Sequence, residues 1–202
     1  MIRCFDIFLS LFGLIILFPI FLLISIWVKI DSPGPVFYKQ VRVGLKGIDF
    51  KLIKFRSMFV NSGGSSLLTV GNFDNRITNA GYYLRKFKLD ELTQLINVFT
   101  GKMSIVGPRP EVRKYVNLYT EDQKVVLSVR PGITDYSSIK FRNENELLAK
   151  SLTPEKCYIE DILPEKVRLN MIYIKNRSIF QYFKIILQTL FSGIKNYDQF
   201  PR

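Results

Sequence analysis

From Ile7 to Val28 the chain passes through 22 residues without a charge. As an α-helix this segment would be about 33 Å long, close to the thickness of a bilayer's hydrocarbon core. Length alone supports one membrane-spanning anchor. Pro19 complicates that picture, because a proline near the middle of a helix removes a backbone hydrogen bond and bends or breaks the helix. A cleavable signal is disfavoured, since Leu23-Ile24-Ser25-Ile26-Trp27 offers no small-residue cleavage site and the run exceeds the usual apolar core of a signal peptide. Cations gather after the segment, at Lys29, Lys39, Arg42, Lys46, Lys51, Lys54 and Arg56, which assigns that side to the cytoplasm by the positive-inside rule. Arg3 is the only cation on the opposite flank. Hydropathy therefore leaves two arrangements open, a span and a helix-break-helix that enters and leaves one face.

The remainder of a 202-residue chain can bury one modest core, so a single domain over 31–202 is expected behind a membrane element over 1–30. A formal charge of +12 suits nucleic acid, an anionic membrane face or a phosphate-rich substrate, and charge does not choose among them. The absence of histidine is more selective. It excludes Ser-His-Asp and Cys-His catalysis, histidine metal sites and an imidazole base, leaving carboxylates, Lys, Arg and Tyr to carry any chemistry. Cys4 and Cys157 lack C-x-x-C spacing and read as ordinary thiols of a reducing compartment.

After Asp31 the Ser32-Pro33-Gly34-Pro35 turn gives way to β-favouring residues. Short strands are expected over 36–42 and 49–55, joined around a hairpin turn at Gly44-Leu45-Lys46-Gly47. Residues 57–75, rich in Ser, Gly and Asn, read as a mobile loop near the site. Leu84, Phe87, Leu92, Leu95, Ile96 and Phe99 then recur at helical spacing within 80–100. The stretch 143–165 is acidic and turn-rich, and 178–191 forms an amphipathic helix equally suited to the core or to a membrane interface.

Chemistry concentrates in Leu89-Asp90-Glu91-Leu92. An Asp at a helix start is ordinarily an N-cap, and an Asp-Glu pair ordinarily a solvated face. Arg85, Lys86, Lys88 and Arg109 alter that balance, because they can organise phosphate oxygens around the carboxylates. A helix N-terminus at Asp90 would add free N–H groups facing the anion. In such a setting a carboxylate serves as nucleophile or metal ligand, and both roles belong to phosphoryl transfer.

The ordered series of an apolar Pro-interrupted N-terminus, Ser32-Pro33-Gly34-Pro35, Lys54-Phe55-Arg56-Ser57-Met58, Leu89-Asp90-Glu91-Leu92, Gly107-Pro108-Arg109-Pro110 and Arg130-Pro131-Gly132-Ile133-Thr134 resembles the bacterial sugar transferase family. More narrowly it is similar to the small monotopic phosphoglycosyl transferases. The resemblance implies an α/β fold, a small sheet surrounded by helices, with a re-entrant membrane helix broken at Pro19 and amphipathic interfacial helices. It implies transfer of a sugar 1-phosphate from a UDP-sugar to polyprenyl (undecaprenyl) phosphate through a covalent aspartyl-phosphosugar, with Mg2+, at the cytoplasmic face of a bacterial inner membrane, at the start of polysaccharide or glycoconjugate assembly. Asp90 would be the nucleophile. Glu91 would assist by orienting magnesium or the acceptor, so both carboxylates are candidate metal ligands, while Lys54, Arg56, Arg85, Arg109 and Arg130 would bind substrate. Membrane lipid is an expected partner, nucleic acid is not, and a homo-oligomer is left open.

Three positions depart from the family pattern: Phe18 before the proline where many relatives carry Ser, Lys102 where Asp is common, and Asp135-Tyr136-Ser137-Ser138 in place of Gly-Trp-Ala-Gln. These bear on sugar and nucleotide contacts more than on the chemistry. Two competing readings are a membrane-tethered nucleic-acid-binding module, which lacks a recognisable binding motif, and a non-catalytic scaffold of polysaccharide assembly, against which Asp90 and Glu91 argue.

Overall fold

The uncharged segment lies inside α1 (Ile2–Asp31), a helix of 30 residues that runs on through Pro19, so the expected break there is not seen: the proline forgoes one backbone hydrogen bond and the helix continues on either side. In the computed structural model, which describes residues 1–60 and 74–191, the middle of α1 turns Phe12, Ile15, Ile16, Phe18, Leu22 and Leu23 outward. Its ends behave differently. Near the N-terminus Asp6 is buried and accepts hydrogen bonds from Ser104 Oγ, Ile105 N and Tyr182 OH, each at 2.9 Å. Arg3 donates to the carbonyls of Val98 and Phe99. Near the C-terminus Ile24 and Val28 pack with Phe55 and Leu84. There Arg56 donates to the carbonyl of Val28, one of those the end of a helix leaves without internal partners, and to the carbonyls of Ser32 and Pro33 just beyond it. Both ends of α1 are thus fastened to one body.

Strands β1 (Phe37–Val43) and β2 (Asp49–Phe55) form the expected antiparallel hairpin, in register from Phe37↔Phe55 to Val43↔Asp49. Its turn places Lys46 and Gly47 at positive φ, 56° and 73°. Of the loop expected over 57–75, residues 61–73 lie outside the described residues, and Met58 bridges to Ile77 across it.

The helical stretch expected over 80–100, with a helix start at Asp90, is two helices, and the second begins later than expected. Helix α2 (Asn79–Lys86), N-capped by Thr78 Oγ1 accepting from Gly81 N, stops where Lys88 takes the left-handed conformation at φ 58°. A 3-10 turn over Leu89–Glu91 follows, and α3 (Gln94–Phe99) starts only after it. The apolar spacing continues across the break although only Leu84 of that stripe is buried and Phe87 and Phe99 are exposed, so the pattern does not reveal it.

The small sheet is divided in two. Besides the hairpin, β3 (Ser104–Val106) and β4 (Gly132–Thr134) form a parallel pair. Asp6 covers the free edge of β3 by accepting from Ile105 N. The Gly-Pro and Pro-Gly motifs meet where these strands cross: a Cβ on Gly132 would lie 2.1 Å from Gly107 N, and one on Gly107 2.4 Å from the carbonyl oxygen of Arg130. Neither glycine has a positive φ, so the requirement is close backbone approach rather than conformation.

Helices α4 (Arg113–Val116), α5 (Tyr136–Lys140), α6 (Glu144–Ala149), α7 (Pro154–Cys157), α8 (Leu163–Lys175) and α9 (Ile179–Phe191) complete the fold, with a π-helical turn over Tyr158–Ile162 between α7 and α8. The acidic stretch is therefore more helical than its turn-rich composition predicts. One core cluster gathers Val112, Tyr115, Tyr119, Tyr158, Ile162 and Val167. Another joins Val106, Tyr136, Leu169, Tyr173, Tyr182 and Ile185 to Phe5 and Leu9 of α1. Helix α9 packs into the core through Tyr182 and Ile185 while Phe180, Leu187, Leu190 and Phe191 stay exposed.

Gly132→Ala should destabilise the protein by more than about 2 kcal/mol, since the new methyl meets backbone that cannot swing aside as a side chain could. Thermal unfolding of the purified chain checks this; an unchanged midpoint would mean that β3 and β4 can separate freely.

Candidate active site

The carboxylate pair stands on the 3-10 turn between α2 and α3, and hydrogen bonds to β2 hold that turn in place. Asn97 acts as a substitute strand: its Oδ1 accepts from Ile53 N and its Nδ2 donates to Lys51 O, both at 2.9 Å. Thr93 Oγ1 donates to the Ile53 carbonyl at 2.9 Å. These bonds satisfy an open strand edge and bring Lys54 beside Glu91.

Glu91 is gripped by two cations. Lys54 Nζ lies 2.8 Å from Oε1, while Arg109 spans the carboxylate with Nη2 at 2.5 Å from Oε1 and Nη1 at 3.1 Å from Oε2. The two-pronged contact is the geometry in which guanidinium and carboxylate attract most strongly. Burial alone would push the Glu91 carboxyl up, but Arg109 and then Lys54 outweigh it and hold Glu91 well below the usual carboxylate range.

Asp90, only 6 % exposed, is the opposite case. No hydrogen bond or ion pair within 4 Å engages its carboxylate among the described residues. Burial, followed by the charge of Glu91, pushes its carboxyl up; Lys54, Arg85 and Lys88 only partly offset this. Lys88, held at positive φ just before the turn, is one of two non-glycine residues so placed among those described. Such strain is kept where surrounding structure enforces it, often at functional sites.

Of the seven expected site residues, the structure brings Asp90, Glu91, Lys54 and Arg109 together, with the partly exposed Arg85 close enough for its charge to act on Asp90. Arg56 faces elsewhere, clamping the end of α1, and is 4 % exposed. Arg130 donates through Nε to the Gly101 carbonyl, beyond the far end of α3 from the carboxylates. Asp90 itself lies four residues before α3, so the helix N-terminus expected behind it is absent. The sequence assigned no site role to Arg42, Glu111, Glu144, Tyr158 or Lys166, which form a polar cluster behind Arg109 with Glu111, Tyr158 and Lys166 buried and Arg42 and Glu144 half-buried; the only signal was the Glu directly after Pro-Arg-Pro.

No group of three or more His, Cys, Asp or Glu residues among the described ones could hold a metal by itself. The arrangement nonetheless would suit a magnesium ion bound by one carboxylate plus substrate phosphates, because Asp90 keeps oxygens that no group among the described residues occupies. Glu91 suits that task less well, with both oxygens engaged.

The dyad's electrostatics can be read by carbon-13 NMR titration of its carboxyl groups. Glu91→Gln should lower the Asp90 pKa, since it removes a neighbouring anion and frees Lys54 and Arg109; a value that stays put or rises would mean that Glu91 is not what Asp90 senses.

Comparison with known proteins identifies the family of the chain. The bacterial sugar transferase family matches residues 1–196. UDP-glucose:undecaprenyl-phosphate glucose-1-phosphate transferase of Escherichia coli is 36% identical over 198 residues, covering 96% of this chain and 40% of that protein. An uncharacterised sugar transferase of Bacillus subtilis, EpsL, is 37% identical over 188 residues, covering 93% of this chain and 84% of that protein. UDP-N-acetylgalactosamine-undecaprenyl-phosphate N-acetylgalactosaminephosphotransferase of Aeromonas hydrophila is 36% identical over 140 residues, or 68% of this chain and 33% of that protein. The chain thus spans about two-fifths of the length of the Escherichia coli relative. With a family match over nearly its whole length, and the acidic pair and arginine motif assembled in one place, the chain belongs to the bacterial sugar transferase family.

Proposed function

We propose that the protein transfers a sugar 1-phosphate from a UDP-sugar to undecaprenyl phosphate, as the names of its relatives describe for theirs, and that Asp90 is the nucleophile. The observation that carries this reading is the contrast within the dyad: Glu91 is neutralised by Arg109 and Lys54, while Asp90 is buried with its oxygens unoccupied. An Asp90 oxygen attacks the β-phosphorus, the bond from that phosphorus to the bridging oxygen breaks, and UMP leaves with the electron pair. An oxygen of undecaprenyl phosphate then attacks the same phosphorus, the bond to Asp90 breaks, and the carboxylate is regenerated. Two displacements let one site take a soluble donor and a lipid acceptor in turn.

Arg109 and Lys54 are held by Glu91, the residue next to the reacting carboxylate, so they can stabilise charge on the transferring phosphate with little reorganisation. A magnesium ion bound through Asp90 would neutralise the diphosphate; Glu91 keeps the two cations in place around it. The relatives differ in sugar, glucose in one and N-acetylgalactosamine in another, so the donor is proposed only as a UDP-sugar.

Release of UMP from a panel of UDP-sugars, in the presence of undecaprenyl phosphate, tests the activity. Asp90→Asn should abolish it, and retention of most activity would remove Asp90 as the nucleophile. The same variant should be at least as stable as the wild type at neutral pH. Because the folded-state pKa of Asp90 is raised, its ionisation costs stability from the unfolded-state pKa upward through the folded value, and Asn removes that cost. Arg109→Ala should lose on the order of 2–4 kcal/mol of transition-state stabilisation. Lys114→Ala should change little, as Lys114 pairs with exposed Glu155 at the surface. Equal losses from the two variants would mean that bulk charge, not this site, governs turnover.

We further propose that α1 enters and leaves the membrane through the cytoplasmic face. A spanning helix would carry Arg3 and Asp6 across the bilayer, whereas both are bonded to the same body that holds Ile24 and Val28. The bare apolar middle of α1 and the exposed apolar residues of α9 would meet lipid. Exposed Cys4 offers a reporter. In a Cys157→Ser chain, Cys4 should resist a membrane-impermeant maleimide in intact spheroplasts and react once the membrane is opened; labelling from outside would overturn the topology but not the chemistry.

A further inference from the structure

Behind Arg109 lies a polar cluster that the proposed chemistry does not use. Glu111 is 8 % exposed, and its Oε1 accepts from Tyr158 OH at 2.6 Å and lies 3.7 Å from Lys166 Nζ. Its Oε2 is 3.7 Å from Arg42 Nη1, which also donates to the Pro110 carbonyl at 3.0 Å. Lys166, itself 5 % exposed, reaches Glu144 Oε2 at 2.5 Å and stands 4.8 Å from the centre of the Tyr158 ring. Two carboxylates and two cations balance in charge here. Well-packed apolar residues would often be as stable as such a buried group, whose best-attested use is to fix register.

What it would fix is the segment carrying Arg109. Gly107 N donates to the Thr134 carbonyl and Gly132 N to the Pro108 carbonyl on one side; Val43 N donates to the Glu111 carbonyl on the other. Between these pins, the Arg109 amide has only a long 3.4 Å contact to Asp135. The position of Arg109 therefore depends on how firmly residue 111 is held. Tyr158, its closest side-chain partner, begins the π-helical turn, a rare local widening that recurs at functional sites.

We propose that Glu111, gripped by Tyr158 and Lys166, is a positioning residue that sets the Arg109 guanidinium between Glu91 and the phosphate of the substrate. This rests on the transferase reading above. The cluster touches no reacting atom. It acts by keeping the Arg109 segment still while the guanidinium shares its donors between protein and substrate, a setting in which small displacements are costly to rate.

Tyr158→Phe tests this, because it removes one hydroxyl and keeps the ring beneath Lys166. In the full chain, with undecaprenyl phosphate and the UDP-sugar turned over fastest in the panel, it should lower kcat/KM about tenfold, yet by less than about twofold when added to Arg109→Ala. Equal losses in the two backgrounds would assign Tyr158 to general stability and overturn the proposal. Hydrogen exchange supplies a readout independent of turnover. Amides of residues 107–112 should exchange faster in Tyr158→Phe while those of the β1–β2 hairpin do not, and unchanged exchange over 107–112 would overturn the proposal whatever the activity. A wild-type chain that turns over no UDP-sugar, but gives the expected exchange, would count against the transferase reading and leave the anchoring of the Arg109 segment standing.

Discussion

Two carboxylates on consecutive residues of one tight turn cannot both be taken out of water and stay ionised without compensation. This constraint organises the centre of the molecule. Glu91 receives the compensation, a two-pronged arginine and a lysine, and Asp90 does not. Two chemically similar side chains are driven apart in acidity by geometry alone, the one stabilised as an anion and the other left with a burial cost and free oxygens. Such divergence between neighbouring groups is the usual mark of separate roles in a reaction.

Each cation arrives from a different part of the chain, so the surrounding fold can be understood as what delivers them. Lys54 comes on the edge of β2, which Asn97 and Thr93 bind to the turn. Arg109 comes on a segment that leaves β3 and is pinned against β4 where two glycine backbones cross. Proline and glycine serve opposite purposes at that crossing. The prolines stiffen the segments, and the glycines let them approach to a distance that any side chain would forbid.

Helix α1 is joined to this centre through polar groups at its ends rather than by its apolar middle. Asp6 closes the edge of β3, and Arg56 collects carbonyls at the opposite end. The same strand pair that positions Arg109 is thereby tied to the long apolar helix, so the carboxylate site and α1 are held in one rigid arrangement. Arg56 illustrates how a motif can mislead. It stands two residues from Lys54 in the same motif, yet one cation serves the carboxylates and the other serves a helix end.

Several features were determined by the sequence itself. Absence of charge over 22 residues specifies a long apolar helix, alternating β-favouring residues about Gly44 and Gly47 specify the hairpin, and lack of histidine confines the chemistry to carboxylates and cations. These are local properties, or properties of composition, and need no knowledge of what lies opposite. The left-handed turn at Lys88 is not marked by its residue type, because a lysine seldom takes positive φ and does so here only under the constraint of the surrounding fold. Which of seven candidate residues converge, why Asp90 and Glu91 differ, and that Glu111 and Lys166 are buried together were decided only by tertiary structure. The reason is physical: an ion pair is set by distance and burial, and residues 18 or 55 positions apart acquire those only when the chain closes on itself.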